Sequence, residues 1–195
     1  MEPTKEMVKG LWDHMSKQFG STVVNKADSL FMKVAAGALQ LFGIANAEDF
    51  LNRYSTTIGS TIYVPFVIGD DSHTSLWSQI LLCVHEHMHV EQWRTEGIEF
   101  AAKYLISKAQ RAAYEAEAYR SASELSWWRD KTLASPDEMA AHLKEGYGLG
   151  DAEVASAVEI LDLSNETIQR GGIVNPPTAV ALAWLDKNAG QLKQQ

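Results

Sequence analysis

The chain has 195 residues, of which 46% are hydrophobic and 22% charged, the balance of a folded globular protein rather than a disordered one. Its length suits one domain with a sizeable core, spanning residues 1–195, with the chemistry placed in about 56–130 and helical flanks at 1–54 and 131–195. A net charge of −8, offset by no basic cluster, argues against a nucleic acid or an anionic membrane surface as partner.

Residues 4–19 predict an amphipathic helix on Met7, Val8, Leu11, Trp12 and Met15, with Gly20 as its stop. The residues before it lack the basic-then-apolar order of a secretory signal. The apolar run 34–45 is broken by Gln40 and is too short for a bilayer. A cytoplasmic location is therefore expected, with release or incorporation into a particle as the other outcomes. Residues 26–42 predict a second helix on Leu30, Phe31, Val34, Leu39 and Leu41, and 47–53 a short one. Residues 56–68 are β-branched and aromatic and close at Gly69-Asp70-Asp71, the one convincing strand signal. Gly59 puts a turn inside that stretch, and Pro65, which cannot donate to a ladder, belongs at an edge or a strand end. Two short strands of a hairpin follow. Further helices are predicted over about 75–93, 98–106, 108–131, 135–146, 151–170 and 175–190. Ser135-Pro136-Asp137-Glu138 has the form of a capping box with proline in the first helical position. The fold class expected is mainly α (α+β), a helical domain with a small β-hairpin just before the motif helix.

The motif is His85-Glu86-His87-Met88-His89, which contains His-Glu-x-x-His. At about 100° per residue, His85 and His89 lie one turn apart on one helix face, where two imidazoles can grip one divalent ion, zinc being the usual choice. Glu86 stands beside them as general base for a water activated by the ion. Ile80, Cys83 and Val84 form an apolar back to this helix, and Cys83, the one cysteine, reads as a small buried hydrophobe that rules out a disulfide framework. His87, about 200° from His85, points away and reads as a core or rim histidine bonded to a backbone carbonyl. A catalytic zinc takes three protein ligands and water. The metzincin continuation is excluded, because Gln92 and Thr95 stand where glycine and histidine would be. Glu115 and Glu117 both sit in the small-residue run 112–118, about 200° apart, so one of them can face the ion and geometry does not choose between them.

These residues resemble the zincin metallopeptidases in a small bacterial or phage-like form, specifically the gluzincin branch that includes thermolysin. His85-Glu86-x-x-His89 matches the first half of that pattern, and Glu117-Ala118-Tyr119, in a Glu-x-Glu-Ala context, matches the second. The resemblance covers about residues 56–129. It implies a zincin-like fold, Zn2+ held by His85, His89 and Glu117 with Glu115 as the second choice, and peptide-bond hydrolysis with Glu86 as the catalytic base. It also implies that residues 61–66 form an edge strand against which a peptide or protein substrate lies extended. Ser121 departs from the pattern where the family has an aspartate that orients a histidine, and Glu124 is the residue available to replace it. Tyr104, Tyr114, Tyr119 and His142 are the candidate donors to an oxyanion.

Two other classes compete. A structural or binding component of a larger assembly, such as a virion, would hold a structural or relic zinc site. A ferritin-like di-metal protein would need a second Glu-x-x-His, and Glu138 and His142 are spaced by four, not three.

Overall fold

The structure, a computed structural model, describes residues 1–33, 51–52 and 54–194. Most of the predicted 26–42 and 47–53 helices lies outside the described residues. Helix α1 (Lys5–Phe19) starts where the Thr4 hydroxyl accepts the Met7 N–H and ends at Gly20, which takes a left-handed φ of 63°. Its apolar face, Val8, Leu11, Trp12, Met15 and Phe19, is buried. A strand that the sequence did not announce follows, β1 (Thr22–Asn25), and then a 3-10 turn (Lys26–Asp28) capped by the Asn25 side chain. Residues 26–28 therefore turn rather than begin a helix, and helical backbone starts at Leu30.

The hairpin is present as β2 (Thr56–Ile58) and β3 (Thr61–Val64), with Gly59 at φ 62° in the turn. β3 pairs antiparallel with β2 and parallel with β1, giving the order β1-β3-β2. Pro65 falls just past the end of β3, as its missing donor requires. The expectation of an edge strand at residues 61–66 is corrected, because β3 is central and β2 lies at the margin next to the motif helix.

The motif helix α2 (Leu76–Glu96) is capped by Ser75, whose hydroxyl accepts the Ser78 N–H, and stops at Gly97 with φ 60°. The chain continues through α3 (Ile98–Ile106), α4 (Lys108–Asp130), α5 (Pro136–Tyr147), α6 (Asp151–Gln169) and α7 (Pro176–Asn188), ending in a 3-10 turn (Gly190–Leu192). Pro136 and Pro176 open their helices as expected, but the Ser135 side chain makes no capping bond. The glutamate half of a capping box occurs one helix later, where the Glu153 carboxylate accepts the Gly150 N–H at 2.9 Å.

One apolar core joins α1, β3, α2, the end of α4, α7 and the last turn, around Leu11, Trp12, Ile62, Ile80, Val84, Leu125, Leu185 and Leu192. A second joins the start of α4 to α5 and α6, through Ala112, Ala116, Met139, Leu143, Ala157 and Leu161. Helix α4 serves both. The loop before α2 is tied down by the fully buried Gln79, whose side chain accepts the Gly69 N–H and donates to the carbonyls of Asp70 and Thr74. Removing that amide strands the buried Gly69 N–H and frees two part-buried carbonyls, so Gln79→Leu is expected to cost about 2 kcal/mol and lower the thermal midpoint by roughly 4–8 °C. Differential scanning calorimetry checks this, and an unmoved midpoint would contradict it.

Candidate metal centre

On α2 the one-turn spacing brings the Nε2 atoms of His85 and His89 to 3.2 Å, with the rings edge to face at 84°. Helix α4 packs against α2, its Ala112, Ala116 and Ala118 buried and adding no bulk. From that helix the Glu115 carboxylate enters, with Oε2 3.5 Å from His85 Nε2 and Oε1 3.5 Å from His89 Nε2. A tetrahedral ion with zinc-to-donor bonds near 2.0–2.2 Å sets its donors about 3.3–3.5 Å apart. The two imidazole nitrogens stand 3.2 Å apart and each lies 3.5 Å from a different oxygen of Glu115, close to that requirement, and one donor atom from each residue lies within 4.8 Å of the others. A second observation agrees: Glu115 Oε2 is buried and has no hydrogen-bond partner. Among the described residues, the set His85, His89 and Glu115 can hold a metal ion.

Outer contacts fix these ligands. His89 Nδ1–H donates to Gln92 Oε1 at 2.8 Å, which leaves the Nε2 lone pair free for an ion in the neutral ring. Gln92 Nε2 in turn donates to Glu117 Oε2 at 2.9 Å and to the Tyr114 carbonyl at 3.1 Å. Tyr104 on α3 donates its phenolic hydrogen to Glu115 Oε1 at 2.5 Å. Tyr119 stands edge-on to His85 at 5.1 Å. Without an ion, burial works against a charge on His89, but the Glu115 carboxylate outweighs it and raises the pKa to about 9. Burial would raise Glu115, and the two imidazoles reverse this and hold the carboxyl far below the usual range.

Glu86 is buried on α2 with its Oε2 accepting the Thr57 hydroxyl from β2 at 2.6 Å. Next to it, Lys26 is fully buried and donates to Thr56 Oγ1 at 2.8 Å. Burial pulls the Lys26 pKa down to about 8, against the opposing pull of the Glu86 charge. His87 is buried behind the site, bonded to the Cys83 carbonyl at 2.6 Å and to Ser21 Oγ at 2.9 Å, its pKa pushed down to about 4 by burial. It is the core histidine expected, and Cys83 is buried beside it.

Several expectations are corrected. Glu117 is exposed and accepts from Gln92, whereas Glu115 is the carboxylate that stands against the two imidazoles. The signal for this was available, since Glu115, Ala118, Ala122 and Leu125 form an apolar stripe at i, i+3, i+7, i+10, whereas Glu117 lines up with Ala113, Arg120 and Glu124. Glu124 supports no ligand and instead accepts from Arg120 at 2.8 Å and from the Val174 N–H at 3.3 Å. Tyr114 donates to Glu96, and His142 is exposed on α5. Sequence reasoning missed the bridging role of Gln92, as well as Thr57 and Lys26, and also Tyr147, whose hydroxyl burial and the Glu115 charge push well up.

No protein-family model, curated protein or solved structure matches this chain. No helix among the described residues is long and apolar enough to cross a membrane.

Three outcomes follow for the purified protein titrated with Zn2+. Glu115→Ala is expected to abolish stoichiometric binding, while Gln92→Leu weakens it by about 10–100-fold, the range for loss of an outer contact. Because an ion must displace the His89 proton, affinity should rise about tenfold per pH unit from pH 7 towards 9 and then level off. Competition with a chromophoric chelator measures all three, and a pH-independent affinity would contradict the assignment of His89.

Proposed function

We propose that the chain is a zinc-dependent hydrolase, and specifically a metallopeptidase. The observation that carries this reading is a compact three-donor set with a carboxylate, Glu86, on the residue next to one of its histidines. Two imidazoles and a carboxylate form a donor set suited to zinc. When bound, such an ion supplies a Lewis acid and brings the pKa of its water towards neutrality.

The chain's own groups supply the rest. Glu86 takes the proton from the attacking water and passes it to the leaving amine, with Thr57 holding one of its carboxylate oxygens. Tyr119, its pKa raised to about 12 chiefly by burial, keeps its proton and serves as donor to the developing oxyanion. Strand β2 lies next to α2 and has one partner strand among the described residues, so an extended peptide can add along its other side.

A second reading has one observation in its favour. The three ligand side chains are only 12%, 9% and 1% exposed, which also suits a structural zinc site in a component of a larger assembly. One variant separates the two. Glu86→Gln is expected to retain one zinc per chain and the wild-type unfolding midpoint while losing at least about 100-fold of the hydrolysis of a proteome-derived peptide library. Mass-spectrometric cleavage profiling reads this out; a zinc-loaded wild type that cuts nothing would favour the structural site.

A further inference from the structure

Helix α3 meets the metal centre through Phe100 and Tyr104, and the Tyr104 hydroxyl is the polar group it brings there. Tyr104 packs against Phe100, whose ring is 5.8 Å away and which also lies 6.3 Å from His89. Arg111, from the first turn of α4, clamps the end of α3 by donating Nε to the Tyr104 carbonyl at 2.8 Å and Nη2 to the Leu105 carbonyl at 2.9 Å. The same guanidinium reaches the Tyr147 carbonyl at 3.1 Å. So held, the Tyr104 hydroxyl has one aim, Glu115 Oε1 at 2.5 Å.

The two oxygens of Glu115 are therefore unequal. Each oxygen lies 3.5 Å from one imidazole nitrogen, Oε1 from His89 and Oε2 from His85, but Oε1 also receives a short O–H bond, whereas Oε2 is buried without a hydrogen-bond partner. A free carboxylate meets a divalent ion through one oxygen or through both. A donor fixed on one oxygen removes electron density from it and occupies one of its two lone-pair directions.

We propose that Tyr104 is a positioning residue that makes Glu115 a one-oxygen ligand through Oε2, and so keeps a fourth position at the ion for water. This rests on the metal centre of the preceding reading but not on its hydrolytic step. Deleting the hydroxyl leaves both oxygens equivalent, and the carboxylate closes over the open position as a two-oxygen ligand.

Cobalt(II) is a probe for this, because its visible bands are strong in four-coordinate sites and weaken as a fifth donor joins. The wild type loaded with Co2+ is expected to show four-coordinate intensity. Tyr104→Phe, which keeps the ring and removes only the hydroxyl, should lose at least half of that intensity and bind metal about tenfold more weakly. Tyr63→Phe, which removes a hydroxyl on β3 from a ring packed against Phe31, should leave the spectrum unchanged. A second measurement needs no variant: the infrared spectrum of the zinc-loaded wild type should show the widely split carboxylate stretches of one-oxygen coordination. Identical cobalt spectra for wild type and Tyr104→Phe, or narrowly split carboxylate stretches in the wild type, would overturn the role of Tyr104 alone. A wild type that takes up no cobalt would overturn the metal centre, and this role with it.

Discussion

The structure depends on a buried carboxylate held against two imidazoles at the contact between α2 and α4. A charge as deep as that of Glu115 is costly unless it is compensated, and compensation here comes from His85 and His89 together with the phenol of Tyr104. The same geometry that satisfies the carboxylate also gathers one donor atom from each of three residues within 4.8 Å, a set that could hold a metal ion. Stability and chemistry thus draw on one constraint, the close approach of two helices whose contact surface is kept small by alanine.

The rest of the fold holds α2 so that this face stays in place. On its back, His87 is locked between the Cys83 carbonyl and Ser21, which ties the helix to the turn between α1 and β1. The Trp12 indole donates to the Gln79 carbonyl, and the Gln79 side chain fastens the incoming loop. Thr57 on the sheet margin reaches across to Glu86. The segments before and after the motif region therefore act as scaffold: α1 and α7 fill the core beneath α2, and α5 and α6 brace the start of the glutamate helix.

Much of this was legible in the sequence where local chemistry decides the structure. The helix end at Gly20, the starts at Pro136 and Pro176, the hairpin turn at Gly59 and the one-face pairing of His85 with His89 all follow from short-range rules, whereas the motif helix runs three residues past its expected end, to Glu96. What was not legible depends on distant partners. Strand β1 is four residues long and exists because β3, nearly forty residues on, pairs with it in parallel. The choice between Glu115 and Glu117 turned on which face of α4 meets α2; helix geometry did not decide it, and the family resemblance pointed to Glu117. Gln92 carries no motif of its own; only the meeting of α2 with α4 shows that one amide links a ligand histidine to the neighbouring glutamate.

The most direct test of the metal centre is anomalous diffraction at the zinc edge from crystals of the zinc-loaded protein. A single peak within about 2.2 Å of His85 Nε2, His89 Nε2 and one oxygen of Glu115, with Glu117 still on Gln92, is the result this geometry requires. A peak bonded to Glu117 instead, or no zinc between the two imidazoles, would contradict it.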